Sequence, residues 1–335
     1  MKNKWFSKAR VLAALVCAAL HGQAYAVELA CPSLDFPTFL RAFSASEELQ
    51  RQFTAPTVRA MTLQPAQTDL VGPQTRPIDR AQLTFPVIVP VSAAPDEGLE
   101  TTFLKHDRVS LVDKRVGNSD IKVYTFTRQA CWVLSGVADW SITEANFHPS
   151  LKPGMNPADS FCYQKAMAYG TLIDVHPALM VEFYAAMLDN FVCAAASGNP
   201  DASNAAASLS LSGMAPQLPT PQVEALFKAA AAASVDGVLM LSLFYCDGNN
   251  IASSGPCLDP ARAEQVLLDA APKGWPEIAS HLGYSFEKGE LVTHDVARAL
   301  ACYQLAIEGG SDSARMRLER LRKQRADLPA ASFCY

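Results

Sequence analysis

The C-terminal half of this chain repeats itself, and the repeat allows few folds. Gly274, Ile278, Leu282, Phe286 and Gly289 follow one another at steps of four, four, four and three. Asp295, Ala299, Tyr303 and Ala306 come next, and the pattern restarts as Gly310, Ala314 and Leu318. Read backwards, Ala233, Gly237, Leu241, Tyr245 and Gly248 make an earlier first helix, with Asp259, Ala263, Leu267 and Ala270 on its second. Gly198, Ala202, Ala206, Ser210 and Gly213 form a fainter copy. Steps of three and four keep one stripe of a helix apolar, and a period in the mid-thirties describes stacked helix–turn–helix units. Small residues at Ala263, Ala299 and Ala314 let helices approach, while Leu and aromatic residues fill the space between them. Glycine just past a helix end supplies a left-handed cap.

These residues resemble the Sel1-like repeat, a relative of the tetratricopeptide repeat. Leu282–Gly289 is similar to its "LGxxYxxG" half, and Asp295–Gly310 to its "DxxxAxxWYxxAxxxG" half, with Cys302 where the family often has Trp. Ser242 and Glu319 depart from the pattern where a glycine is expected after Leu. The resemblance implies an all-α solenoid whose concave face holds another protein. In a solenoid the repeating positions pack and the positions between them face the ligand. Those positions include Met240, Phe244, Trp275, Glu277, His281, Tyr284 and Lys288, and exposed aromatics among them are favoured anchors.

The first 26 residues read as a secretory signal. Lys2, Lys4, Lys8 and Arg10 form a basic start, Val11–Leu20 is too short to span a bilayer, and Ala24-Tyr25-Ala26 is a cleavage site. Cleavage leaves Val27–Tyr335, with no second long apolar run to anchor it in a membrane. The expected location is the periplasm. Of 28 basic residues four leave with the signal, so 24 face 33 acidic ones, a net charge of −9. That balance argues against nucleic acid or an anionic membrane as partner.

The mature chain divides into an α+β domain over 27–147, a linker over 148–158, an α-solenoid over 159–326 and a tail over 327–335. Residues 31–55 read as one helix, from Phe36, Phe39, Leu40, Phe43, Leu49 and Phe53. Gln64–Arg80, with three prolines and a glycine, reads as a loop. Leu83–Val91 reads as an edge strand, because Pro86 and Pro90 bar it from a sheet centre. Val109–Arg115, Ile121–Arg128 and Cys131–Trp140 read as antiparallel strands, with Gly117-Asn118 as a turn. One helix on an antiparallel sheet is the expected first domain. Val123–Ser141 is similar to the last hairpin of small nuclear-transport-factor-2-like or cystatin-like periplasmic domains. Further on, Phe161–Tyr169 and Ala178–Ala196 read as a helix pair, and Val223–Ala233 as a later helix.

Eight cysteines remain after cleavage, an even number that suits an oxidising compartment. They allow 105 connectivities. One set fits the helical reading. Cys246 and Cys257 flank a short insertion, and Cys162 and Cys193 lie at adjoining ends of an antiparallel helix pair. Cys302 reaches Cys334 in the tail, which leaves Cys31 with Cys131. No C-x-x-C points to redox chemistry. His106, His148, His176, His281 and His294 are scattered, with no metal motif among them, and no cofactor is implied. Asp247-Gly248-Asn249-Asn250 lacks the glycine and final glutamate of a calcium loop. Ser285-Phe286-Glu287-Lys288 fits S-x-x-K. Cysteine-rich Sel1-like proteins have been linked to β-lactam binding, but Phe286 and Gly289 are scaffold positions and no S-D-N or K-T-G accompanies the motif. The basic run over Ser311–Arg325 suits a solvated cap on the array, with an acidic-partner site as the alternative.

The expected function is recognition without catalysis. One specific role is a periplasmic immunity protein against a type VI secretion toxin, because some immunity proteins against lipase effectors carry Sel1-like repeats. The alternatives are an adaptor in cell-envelope assembly and a β-lactam-binding enzyme acting through Ser285 and Lys288. N-terminal sequencing and thiol titration of the exported protein are expected to give Val27 as first residue and no reactive thiol. An intact N-terminus or several free thiols would overturn this reading.

Overall fold

A computed structural model describes residues 30–66, 71–91, 98–115, 121–148, 150–151, 154–249 and 255–335. The signal segment, the Gly117-Asn118 turn and part of the 246–257 insertion lie outside the described residues.

The first helical segment is two helices. Asp35 accepts the Thr38 amide and starts α1 (Phe36–Ala45), with Pro37 in its first turn. Ser46 then takes an extended conformation, and its hydroxyl accepts the Leu49 amide to start α2 (Glu47–Gln52). The single helix expected over 31–55 is therefore broken by a capping serine. Helix α1 turns Phe36, Phe39, Leu40 and Phe43 inward.

Six strands follow: β1 (Thr54–Pro65), β2 (Val71–Asp79), β3 (Leu99–Lys105), β4 (Arg108–Asp113), β5 (Lys122–Arg128) and β6 (Trp132–Asp139). They form one sheet in the order β2-β1-β6-β5-β4-β3. The β1–β6 pair is parallel and the other pairs are antiparallel, so the sheet is mixed rather than wholly antiparallel. The stretch expected as a loop over 64–80 is largely β2. Its Pro73 and Pro77 are tolerated because β2 is an edge strand, where a missing amide hydrogen faces outward.

Leu83–Val91 is not a strand. With Pro86 and Pro90 unable to donate, no ladder runs through it, and side chains satisfy its backbone instead. Buried Gln50 accepts from the Val87 and Ile88 amides at 2.7 and 3.1 Å and donates to the Ile88 carbonyl at 2.8 Å. The Ser44 hydroxyl accepts the Val91 amide at 2.9 Å, and the Tyr124 hydroxyl donates to the Val87 carbonyl at 3.0 Å.

Each face of the sheet has its own cover. On one, α1 packs against Tyr124, Phe126, Trp132 and Leu134. The Phe36 ring lies 5.2 Å from those of Phe126 and Trp132, in edge-on geometry. Cys31–Cys131 ties the chain to this core, and the Trp132 indole donates to the Leu34 carbonyl at 2.9 Å. Part of the other face is covered by α3 (Pro157–Val175) and α4 (Met180–Ala195). Met61, Leu63, Val71, Val112 and Ile121 meet Tyr169, Leu172, Phe183 and Ala186 there in one core. The segment Pro177–Ala195 is long and apolar enough to cross a membrane by length and composition, and half of it is buried in this packing.

The remaining helices are α5 (Pro200–Leu211), α6 (Thr220–Ala233), α7 (Val235–Asp247), α8 (Pro260–Ala270), α9 (Pro276–Lys288), α10 (Val296–Glu308) and α11 (Asp312–Gln324). Ser234, Asp259, Asp295 and Ser311 each cap the helix that follows through a side-chain oxygen. Gly289 ends α9 with φ of +67°, a conformation that side chains disfavour. Ala263, Ala299 and Ala314 are fully buried, as are Ile278, Leu282, Phe286 and Tyr303. Gly283 sits where α9 meets α10: a Cβ there would lie 2.8 Å from the Tyr303 ring.

Four disulfides brace this fold: Cys31–Cys131, Cys162–Cys193, Cys246–Cys257 and Cys302–Cys334. The last folds the tail onto α10, where Arg298 Nε donates to the Cys334 carbonyl at 3.0 Å. Four bridges suit an oxidising compartment.

Glu224 links three helices of the array. Its carboxylate accepts from Lys228 at 2.8 Å, from the Tyr245 hydroxyl at 3.0 Å and from Arg262. The Arg262 guanidinium also lies 3.9 Å over the Tyr245 ring.

Two expectations follow from this packing. Gly283→Ala forces a methyl group onto Tyr303 and should cost about 1–3 kcal/mol, read as a lower denaturation midpoint; an unchanged midpoint would refute the close approach. Lys228 first, then Tyr245 and Arg262, hold the Glu224 pKa down to about 2 from an ordinary 4.5, against a desolvation effect that raises it. A depressed carboxylate stabilises the fold above its unfolded value and loses that contribution as pH falls through its folded value. Urea titrations should show Glu224→Gln flattening the stability loss between about pH 4.5 and pH 2; parallel curves for the two proteins would contradict the linkage.

Candidate functional site

Between α7 and α9 lies an open groove of about 650 Å³. Its first wall comes from α7, through Leu239, Met240, Leu243 and Asp247. These residues recur at steps of three and four, so they share one side of the helix. The opposite wall is His281 and Ser285 of α9, one turn apart. Two connections close the ends. One is the base of the insertion, where Cys246–Cys257 holds Pro256 against the rim. The other is Gly289–Leu291, just past the end of α9.

The second connection is fixed by a buried acid. Glu264 of α8, only 6% exposed, accepts the backbone amides of Val292 and Thr293 at 3.0 and 2.8 Å. It also accepts the Thr293 hydroxyl. Buried carboxylates need such partners, and here the partners are the loop that carries Leu291.

The groove is mostly apolar, with charge at its edges. Leu243 is 45% exposed despite its size. His281 is an exposed residue on the α9 wall of the groove. Desolvation, and then the cation of Arg317, hold its pKa below the ordinary histidine value, opposed by Glu290.

The groove gathers only part of the set read from the sequence. Met240 and His281 line it. Tyr284 is half-buried beside it, donating to Glu290 Oε1 at 3.1 Å with the Arg317 guanidinium 4.6 Å over its ring. Phe244 is a correction: it is only 6% exposed and packs on Phe227 and Tyr245. On α7 it falls with Gly237, Leu241 and Tyr245 on the side that faces the core. The neighbouring Leu243 falls on the open side. Trp275 caps the start of α9, partly buried, with the Lys273 ammonium 4.5 Å from its ring centre. Glu277 is exposed in the first turn of α9 and lies outside the groove lining.

Lys288 is exposed and 3.5 Å from Glu287. Glu287 also binds Arg320 at 2.8 Å and accepts the Tyr303 hydroxyl at 2.8 Å. Thus Arg317 and Arg320 of the basic last helix are engaged with α9. Ser285, from the same S-x-x-K segment, is 2% exposed and borders the groove. Among the described residues no group of three His, Cys, Asp or Glu is set to hold a metal ion.

What the sequence reading missed was Leu239, Leu243, Glu290 and Leu291. A signal for the first two was present. Gly237, Leu241 and Tyr245 define one side of α7, so 239, 240, 243 and 247 fall on another.

No protein-family model matches this chain, and no curated protein matches it. Among solved structures it is similar to a Sel1 repeat protein from Oxalobacter formigenes, with 20% identity, a TM-score of 0.36 and 48% of this chain aligned. It is also similar to a protective antigen present in uropathogenic Escherichia coli strains and displaying an SLR fold, with 21% identity, a TM-score of 0.36 and 51% of this chain aligned. The alignments span 61% of the first protein and 37% of the second.

Proposed function

We propose that this is a non-catalytic binding protein that grips another protein in the groove between α7 and α9. One observation carries the reading: an open groove of about 650 Å³ whose lining is rich in apolar side chains, with Leu243 45% exposed and the carboxylates Asp247 and Glu290 beside them. Apolar centres with polar rims are the usual anatomy of protein interfaces. Exposed apolar area of this kind is costly to leave in water and finds its use in association.

The specific role we propose is a periplasmic immunity protein that occupies a toxin delivered by a type VI secretion system. The supports are the Sel1-like resemblance, the signal-like first 26 residues and the four disulfides. An adaptor in cell-envelope assembly uses the same groove. The β-lactam reading needs Ser285 as nucleophile, and the Lys288 ammonium of its motif is paired with Glu287.

The test is direct affinity for a purified candidate toxin, beside a melting curve for each variant. Leu243→Glu and His281→Glu place charge in the groove and should each weaken binding by about 2 kcal/mol or more without lowering the melting temperature. Parent and Ser285→Ala should alike show no chromogenic β-lactam turnover above background, and Ser285→Ala, which removes a hydroxyl only 2% exposed, should bind as the parent does. Loss of an activity in Ser285→Ala, with both groove variants binding as the parent does, would replace recognition with catalysis.

A further inference from the structure

The sheet face that α3 and α4 cover is left open at its other end. There a concavity of about 500 Å³ lies over β1, β6 and β5, with β2 and β4 at its sides. On β1, Arg59 follows the same alternation as buried Met61 and Leu63, so it shares their face beyond the helices. On β4, Arg108 bears the same relation to Val112. Arg76, on edge strand β2, borders the concavity from the side. The rest of the lining is rich in hydroxyls, including Thr125, Thr127 and Ser135.

The backbone beneath is shaped to leave room. Gly136 sits across from Arg59 on one side and from Thr125 on the other. It has no side chain, and the Thr125 side chain leans over it: a Cβ there would lie 3.3 Å from Thr125 Cβ. Both pairings of β6 shift register beside it, between Thr54 and Arg59 on β1 and between Thr125 and Phe126 on β5. Irregularities of this kind bend a strand and re-aim its side chains.

The whole chain carries −5, and several of its other arginines are ion-paired, among them Arg51 with Glu47, Arg115 with Asp113, Arg262 with Glu224 and Arg320 with Glu287. Arg59, Arg76 and Arg108 are exposed and have no acidic partner among the described residues. Asp79 is the carboxylate across from Thr57, and its Oδ1 accepts the Ala81 amide at 2.7 Å. The guanidinium groups of Arg59 and Arg108 share the face of this hollow, with Arg76 at its edge, and an anion between them would relieve their repulsion.

We propose that this hollow binds a phosphorylated sugar. A phosphate dianion offers the oxygens that forked guanidinium donors match two at a time. The volume is far larger than a phosphate group, so the ligand carries its phosphate on a larger body. The threonine and serine hydroxyls can both donate to and accept from a sugar's own hydroxyls. A free sugar phosphate and a phosphorylated envelope glycan share this chemistry.

The test is calorimetric titration of the full chain with glucose 6-phosphate at low salt, with glucose, glucuronate and inorganic phosphate in parallel. Saturable binding of glucose 6-phosphate, weaker binding of inorganic phosphate and none of glucose is the expected pattern. Arg59→Ala and Arg108→Ala should each weaken binding about tenfold, Arg59→Lys should restore part of it, and added salt should weaken all of it. Melting temperatures should hold, because both side chains are exposed. Titrating a phosphorylated glycan and its dephosphorylated form then separates the two sources: tighter binding of the phosphorylated glycan than of glucose 6-phosphate assigns the envelope, and the reverse assigns the free sugar. Absence of saturable glucose 6-phosphate binding, equal affinity for glucuronate, or unchanged affinity in the Arg59→Ala/Arg108→Ala double variant would each overturn the proposal.

Discussion

The structure depends on one act of burial: the covering of the sheet's second face by the α3–α4 pair. A stacked helical array has an apolar end wherever stacking stops, and that end must be covered. Here the sheet covers it. Tyr169 and Phe183 enter the same core as Met61 and Leu63, and the Tyr169 hydroxyl donates to the Trp140 carbonyl at 3.3 Å while accepting the Ile142 amide at 3.2 Å. Trp140 itself stacks on His176, with ring centres 4.9 Å apart. Strand and helix thus share a core across residues 148–158, and each later helix pair is built outward from α3 and α4.

The periodic part of this fold was open to reading because its physics is local. Helix caps at Asp259 and Asp295, glycine at 289 and buried alanines at 263 and 299 all follow from neighbours a few positions away. The cysteines could be placed because antiparallel helix ends and a short insertion leave few partners within reach. The sheet was harder. Prolines in β2 argue for a loop unless the strand is known to lie at an edge, and that is a fact about strands far away in sequence. Leu83–Val91 has the composition of a strand and not the donors, and its partners Gln50 and Ser44 lie some forty residues earlier. The parallel β1–β6 pair is likewise set by topology rather than by local pattern.

The candidate groove shows the same division. His281 and Met240 could be picked from repeat register. Phe244 could not be excluded without knowing where α6 packs, since Phe227 claims it. Leu291 and Glu290 belong to a connection whose path is decided by Glu264, which comes from another helix pair.

Glu264 has a mechanical consequence. It sits on α8, in one helical unit, and holds two backbone amides that belong to the next. The rim around Leu291 is therefore carried by the preceding unit as much as by its own. Any tilt of α8 against α9 would drag that rim with it and change the width of the groove. The width of the opening is thus tied to a contact that lies outside it, from Glu264 to the amides of Val292 and Thr293.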